Sequence, residues 1–439
     1  MHKIYLLAFL FLNCITTFSQ EGFQFKTNKN KVSIPFQLIN NLLIVPVELN
    51  GVKLNFLLDT GVEKTVLFSL EETDTVTFKN IEKIKIKGLG SGESIDALKS
   101  NHNIFKINEL TDFDHEIYMI LDQDVNFSSQ LGIPVHGILG YAFFNTLFVD
   151  VDYARKNLKI YKNIESFPVK KLKKYNSIPI TLELEKPYIE ITALLNSKKV
   201  DLKMLVDTGA SDAIWLFENK NNITVPTKYF DDFLGRGFSG NIYGKRSRIE
   251  NLKIGNYTIL EPTVSFPDTL SLKSVSIVNG RNGSIGSEVL KRFNILFDYK
   301  NLKMYIKSNT NFKEPFNYNM CGIEIQHNGT QWVQEEQPLR AKFVSEALPV
   351  TETEFKEIKY QFKLKPIFEI SQVRPNSPAE IAGILKGDKI LKINGTDAYR
   401  LKLQDINQTM QSEEDRWIVI EVERQKKILR FKFQLKKIL

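Results

Sequence analysis

Cysteine is almost missing from this chain: Cys14 and Cys321 are the only two among 439 residues. Two cysteines cannot make a disulfide framework, and no Cys/His metal cluster can be assembled from them. Histidine is also scarce, five residues isolated from one another in sequence, so no metal site is expected. No apolar run is long enough to span a bilayer. Glycine (23) and proline (15) are modest and phenylalanine is abundant (31), which favours a β-rich globular protein over a disordered one. The net charge of +8 is spread thinly, as in Lys83, Lys85 and Lys87 alternating with isoleucine, a pattern of solvated strand faces and protected edges. Concentrated arginine with aromatic platforms is lacking, so a nucleic-acid partner is not expected.

The N-terminus does carry a signal. Lys3 supplies a basic start, Ile4 to Leu12 is an apolar stretch, and Thr17 and Ser19 are small residues at cleavage-site spacing. This reads as a secretory leader over 1–20, predicting an exported chain that is periplasmic, held in the cell envelope or secreted, with no membrane span after processing. Cys14 invites a lipid-attachment reading, but Asn13 before it fits that poorly.

The most informative pattern is a duplication. Asp59-Thr60-Gly61 and Asp207-Thr208-Gly209 each follow an apolar run, 148 residues apart. A Gly-rich turn trails each aspartate by 29 and 28 residues: Gly88, Leu89, Gly90, Ser91 and Gly92 in the first half, Gly235 to Gly240 in the second. Then Ile138-Leu139-Gly140 answers Ser284-Ile285-Gly286, ending 81 and 79 residues after the aspartates. A short helix with phenylalanine is expected behind each. Asp152-Tyr153 and Asp298-Tyr299 recur next, and these aspartates read as turn carboxylates. Landmarks recurring in one order at nearly constant offset mark two copies of one unit, built from short strands.

Each copy resembles one lobe of a retropepsin-like or pepsin-like aspartic protease, over roughly residues 35 to 307. The resemblance implies a mainly β fold with two tandem retropepsin-like β-barrel lobes in one chain, at 21–165 and 166–310. It implies that Asp59 and Asp207 face each other across one water and share a proton, so that an aspartic-type endopeptidase acts on polypeptide substrates without a cofactor. Thr60 and Thr208 would brace the two loops, and Gly61 and Gly209 would allow tight turns. Gly88, Leu89, Gly90, Gly237, Phe238 and Ser239 would form flaps over the substrate. Ile138, Leu139, Gly140, Ile285 and Gly286 would support the active-site loops. Both lobes lie in one chain, so a monomer suffices. Val62, bulkier than the usual small residue, and Ser284, in an apolar position, depart from the pattern. The first flap also lacks a pepsin-type tyrosine, and Tyr243 near the second reads as a strand residue.

From about 311 the repeat stops, after a plausible linker at 309–315. The stretch from Pro375 to Gly383, with Leu385 to Gly395 after it, resembles a PDZ domain, α+β, over 311–439. The resemblance implies that Cys321, Gly322, Ile323 and Glu324 form the loop and strand that receive peptide C-termini. A long polar insertion is expected at about 327–358. The whole resembles PDZ-containing aspartyl protease-like proteins of envelope compartments. The alternative is a catalytically inactive peptide-binding or scaffold protein of the cell envelope.

Overall fold

The computed structural model describes residues 22–26, 28–70, 74–86, 94–120, 127–219, 221–238, 240–272, 277–341 and 355–439. The expected leader with Cys14, the first flap turn with Gly88, Leu89, Gly90 and Ser91, and Ser239 lie outside these residues. The fold is mainly β. Among the described residues the strands form four sheets, and no helix is long and apolar enough to cross a membrane.

Each half has in its own sheet a hairpin whose turn residues accept a left-handed backbone. Leu42–Leu49 pairs with Val52–Leu58 through Asn50 and Gly51, both at positive φ. Lys186–Leu195 pairs with Lys198–Val206 through Asn196 and Ser197, also at positive φ. Asparagine tolerates that region because its short side chain bonds locally, so the hairpin register is fixed by a few residues.

The returning strand of each hairpin ends at an Asp-Thr-Gly turn. Beside it lies a parallel strand from about 80 residues downstream. Gly137–Leu139 runs along Phe56 to Leu58, and Arg281–Ile285 runs along Lys203 to Val206. Both neighbours are buried on two faces, which explains why these runs are apolar without alternation. The helix behind the first support strand, Tyr141–Asn145, contains Phe143 and Phe144. Its counterpart Ser287–Leu290 contains no phenylalanine, since Phe293 opens the next strand.

A third sheet joins the halves. Its order is Asn176–Pro179, Lys303–Ser308, Phe293–Asp298, Phe148–Asp152, Asn157–Tyr161 and Lys31–Pro35, three strands from each half. At the seam Phe148 faces Asp298 and Asp152 faces Asn294. The centre of that register is Asp150 opposite Leu296, so a pseudo-twofold axis passes between them. A single apolar core runs through both halves. Asp152 and Asp298 each accept a backbone N–H three residues on, from Arg155 and Asn301, as turn carboxylates do.

The C-terminal sheet has its own core. Ile323–Ala341 and Phe355–Val373 pair antiparallel from Ile323 opposite Val373 to Ala341 opposite Phe355. The stretch expected as a polar insertion is therefore largely a two-stranded ribbon. Helix Pro378–Ile381 is capped by the Ser377 hydroxyl, which accepts from the Glu380 N–H, and Asn394 and Gly395 form the expected left-handed turn. Helix Leu403–Met410 buries Leu403, Ile406 and Met410 on one face. The segment at 309–315 is clamped rather than loose. Arg292, fully buried, stacks its guanidinium 3.6 Å from the Phe316 ring centroid and donates to the carbonyls of Asn311, Glu314 and Pro315.

Candidate active site

The two parallel strand pairs deliver Asp59 and Asp207 to the bottom of one cavity of about 1370 Å³. The Asp59 N–H donates to the Leu139 carbonyl at 3.0 Å, and the Asp207 N–H donates to Ile285 at 2.9 Å. Across the axis the threonines interlock. The Thr60 hydroxyl donates to the Val206 carbonyl at 2.6 Å and accepts from the Thr208 N–H at 3.0 Å. The Thr208 hydroxyl donates to Leu58 at 2.9 Å and accepts from the Thr60 N–H at 3.0 Å. These four bonds are buried, and each contributes about 1 kcal/mol while costing more if one partner is removed.

The glycines make room for the acids. Gly61 donates its N–H to Asp59 Oδ1 at 2.6 Å, and Gly209 donates to Asp207 Oδ1 at 3.0 Å. A Cβ on Gly61 would sit 2.9 Å from Asp207 Oδ1, and one on Gly209 would collide with the Asp59 carboxylate. Gly140 and Gly286 leave no space for a side chain against the carbonyls of Val62 and Asp212. Ile138, Leu139 and Ile285 are buried behind the turns, as is Ser284. The Val62 carbonyl accepts from the Tyr141 N–H at 3.1 Å, and the Ala210 carbonyl accepts from Ser287 at 2.7 Å, so the bulk of Val62 leaves the turn intact.

The carboxyl groups of Asp59 and Asp207 each lie against the turn glycine of the other half. Burial, reinforced by the charge of Asp207, holds Asp59 well above the usual carboxylate range. Burial also raises Asp207, but Arg281 and the N–H groups of Gly209 and Ala210 oppose it. Arg281, Asp212 and Ser287 are residues that motif reading missed, because nothing in their local sequence distinguishes them. Ser287 donates its hydroxyl to the Thr208 carbonyl at 3.0 Å.

Hairpins rise on both sides. Ile81–Ile86 and Ile95–Ile107 pair up to Ile86 opposite Ile95, and the first Gly-rich stretch lies outside the described residues. In the second half Phe230–Gly237 and Gly240–Arg248 pair to Gly237 opposite Gly240. Phe238, half-buried, packs 6.0 Å from the Phe127 ring of the first half, and Phe127 packs on Phe68 at 5.1 Å. Phe238 thus bridges the cleft. Tyr243 is exposed and packs on Phe233.

The C-terminal sheet docks against the base of this second hairpin. Arg374 stacks 4.3 Å from the Phe230 ring centroid and lies 3.7 Å from Asp232. Asp232 bonds Arg246, which also bonds Asp212, five residues beyond Asp207. A partly buried polar chain therefore links the second Asp-Thr-Gly turn to the C-terminal module. The strand at Glu324, Ile325 and Gln326 and helix Leu403–Met410 line the same cavity as the aspartates. The helix also meets the first half: the Gln404 amide donates to the Leu131 carbonyl at 3.2 Å, and a Cβ on Gly132 would meet Leu403.

The loop expected to receive a C-terminal carboxylate is braced by internal bonds. The Gly322 N–H donates to Asn319 Oδ1 at 2.9 Å, and the Cys321 and Gly322 carbonyls accept from Ala379 and Arg374. The Ile323 carbonyl accepts from the Asn319 amide at 2.6 Å. Cys321 is fully buried and burial pushes its thiol up to about 12, the state of a packing residue. Glu324 points its carboxyl into the interface, where burial and then Asp232 push it up to about 7. Asn319 therefore already occupies the Gly322 N–H.

A family model described as an aspartyl protease matches residues 45–143, and one described as a PDZ domain matches residues 369–424. The chain thus carries an aspartyl protease domain and a C-terminal PDZ domain. Among solved structures, an aspartic proteinase from Irpex lacteus is 13% identical, over 65% of this chain and 99% of that one, with a TM-score of 0.40. No curated protein matches the chain.

Proposed function

We propose that this chain is an aspartic endopeptidase in which Asp59 and Asp207 share one proton and activate a water against a peptide carbonyl. The observation that carries this reading is the pair of carboxyls in one cleft, each against the other half's turn glycine, on turns held by reciprocal threonine bonds. Two close like charges in a buried site cannot both ionise cheaply, so one acid and one base coexist at the same pH. The ionised carboxyl removes a proton from water, and the protonated one donates to the carbonyl oxygen. The hairpin carrying Phe238 would cover an extended substrate. The PDZ domain, whose strand edge lines the same cavity, would hold a further extended segment of that polypeptide.

The test uses the chain without residues 1–20 and a diverse peptide pool between pH 3 and 8, alongside Asp59→Asn and Asp207→Asn. Cleavage by the parent and loss in both variants supports the proposal. No cleavage at any pH, with peptides retained, assigns the chain to the peptide-binding proteins instead.

A further inference from the structure

We propose that the PDZ end of the cavity is a neutral polar subsite, where the amides of Gln326, Gln372, Asn407, Gln408 and Gln411 select substrate segments rich in serine, threonine, asparagine and glutamine. The inference rests on the proposed peptidase reading and names the side-chain class of the segment held away from the scissile bond.

The backbone supplies the place for such a segment. Ile323–Ala341 is the edge strand of its sheet. The Glu324 carbonyl accepts from the Ser371 hydroxyl on the neighbouring strand, whereas the Ile323 carbonyl accepts from Asn319 off the ladder. Backbone groups two residues apart face the same edge, so Ile325 turns its N–H and carbonyl outward, and Ile325 lines the cavity. An extended peptide added there by main-chain bonds sends successive side chains to opposite faces.

Both faces meet amides. Ile325 is buried in the module's core beside Leu403, Ile406 and Met410, so one face of the edge is the helix side. The stripe of helix Leu403–Met410 turned to the cavity continues through Gln404, Asn407, Gln408 and, just past its end, Gln411. This is the spacing of one helix face. On the other face of the edge stand Gln326 and its neighbour Gln372. Gln404 is engaged with the Leu131 carbonyl of the first half. Among the described residues the side-chain amides of the other five bond no protein group.

The rest of the lining excludes other occupants. Ile325 and Tyr318 are the apolar residues that the module contributes to the cavity, and both are spent in its core. Charge is balanced, with Glu324 and Asp405 against Lys386 and Lys402. The first half, in contrast, presents Val62, Ile86 and Phe127, packed on an apolar cluster together with Phe238. An amide both donates and accepts, as do the side chains of asparagine and glutamine and the hydroxyls of serine and threonine. An apolar side chain would strip water from these amides and return no bond, and a carboxylate would satisfy their N–H groups alone.

The experiment measures fluorescence anisotropy of labelled peptides on the Asp207→Asn chain, which holds substrate without turnover. All peptides share a Val-Leu-Phe-Leu centre and differ in their flanks. Flanks of Ser, Thr, Asn and Gln should bind about 10-fold more tightly than flanks of Leu and Val or of Asp and Glu. Adding Asn407→Leu, Gln408→Leu and Gln411→Leu together should erase or invert the margin over Leu and Val flanks. Gln408→Leu alone, at an exposed position that tolerates the change without unfolding, should narrow it by about 2- to 3-fold. Equal binding of all flanks, or a preference for apolar or acidic ones, overturns the proposal. So does a margin that Gln408→Leu and the folded triple variant leave unmoved. Polar preference in a protein whose parent cleaves nothing sinks the peptidase reading alone, whereas cleavage without flank preference sinks the subsite alone.

Discussion

The turns at Asp59 and Asp207 are held by the same bonds and surrounded by different side chains. Each aspartate N–H is anchored on its support strand, each threonine grips the opposite half, and each turn carbonyl three residues after the aspartate accepts from the residue behind the support glycine. Past that frame the copies part. Lys64 in the first half is exposed beside Glu116 and Glu185, whereas Asp212 at the matching position is tied to Arg246, Trp215 and Ser265. Tyr141 stands where the second half has Ser287, and Val135 where it has Arg281. The backbone frame is duplicated because two aspartates can meet only across matched loops. The side chains are free to specialise, and the second turn alone is wired toward the PDZ domain.

That contrast can be broken most severely at the acids. Asp59→Asn and Asp207→Asn should each lower peptide turnover by about 10⁴-fold or more, with the double variant no worse, as expected of groups acting as a unit. Unequal single losses would show that one half carries the chemistry. Next come the shared bonds. Thr60→Val and Thr208→Val should each destabilise by roughly 1–3 kcal/mol, because each leaves a buried N–H and a carbonyl unpaired. Urea unfolding of the double variant should show less than the summed loss, since the two hydroxyls form one network.

A smaller effect is expected where the halves touch over the cleft. Phe238→Ala removes the contact with Phe127 and should raise KM by about 5–10-fold with kcat little changed, a loss of roughly 1 kcal/mol. Steady-state kinetics on a single peptide would expose any larger change in kcat. The smallest concerns Asp150, whose carboxyl burial pushes up to about 6, with Lys159 opposing and Asp152 reinforcing the rise. A raised carboxyl favours the folded state while protonated. That stability is fully present below about pH 4 and is lost as pH rises through about 6. Asp150→Leu should therefore add about 1 kcal/mol at pH 8 and little at pH 4. Thermal unfolding at both values checks the sign.

Much of the frame was legible because it recurs: two copies of one motif, with support glycines at matching offsets, leave few alternatives for Asp59 and Asp207. The PDZ helix cap at Ser377 and the turn at Asn394 were legible because local chemistry fixes them. The ribbon after Ile323 was not, since a two-stranded ribbon has no buried face to impose alternation. Trp332, Phe362 and Leu364 are exposed within it. The bracing of the Cys321 loop was hidden too, because it depends on Asn319, whose side chain reaches the Gly322 N–H and the Ile323 carbonyl.

The seam of the joining sheet bears on which halves can associate. Strand pairs at a twofold axis set a residue against its own equivalent, with Cα atoms about 4.5–5.5 Å apart. Two copies of the first half joined by Phe148–Asp152 would bury Asp150 against Asp150, while two copies of the second half would meet through Leu296 and Leu296. Only the mixed pairing places one carboxyl opposite a hydrocarbon, with Lys159 3.8 Å from that carboxyl. The duplicated chain therefore carries its own rule against self-pairing by the first half, written at a single position.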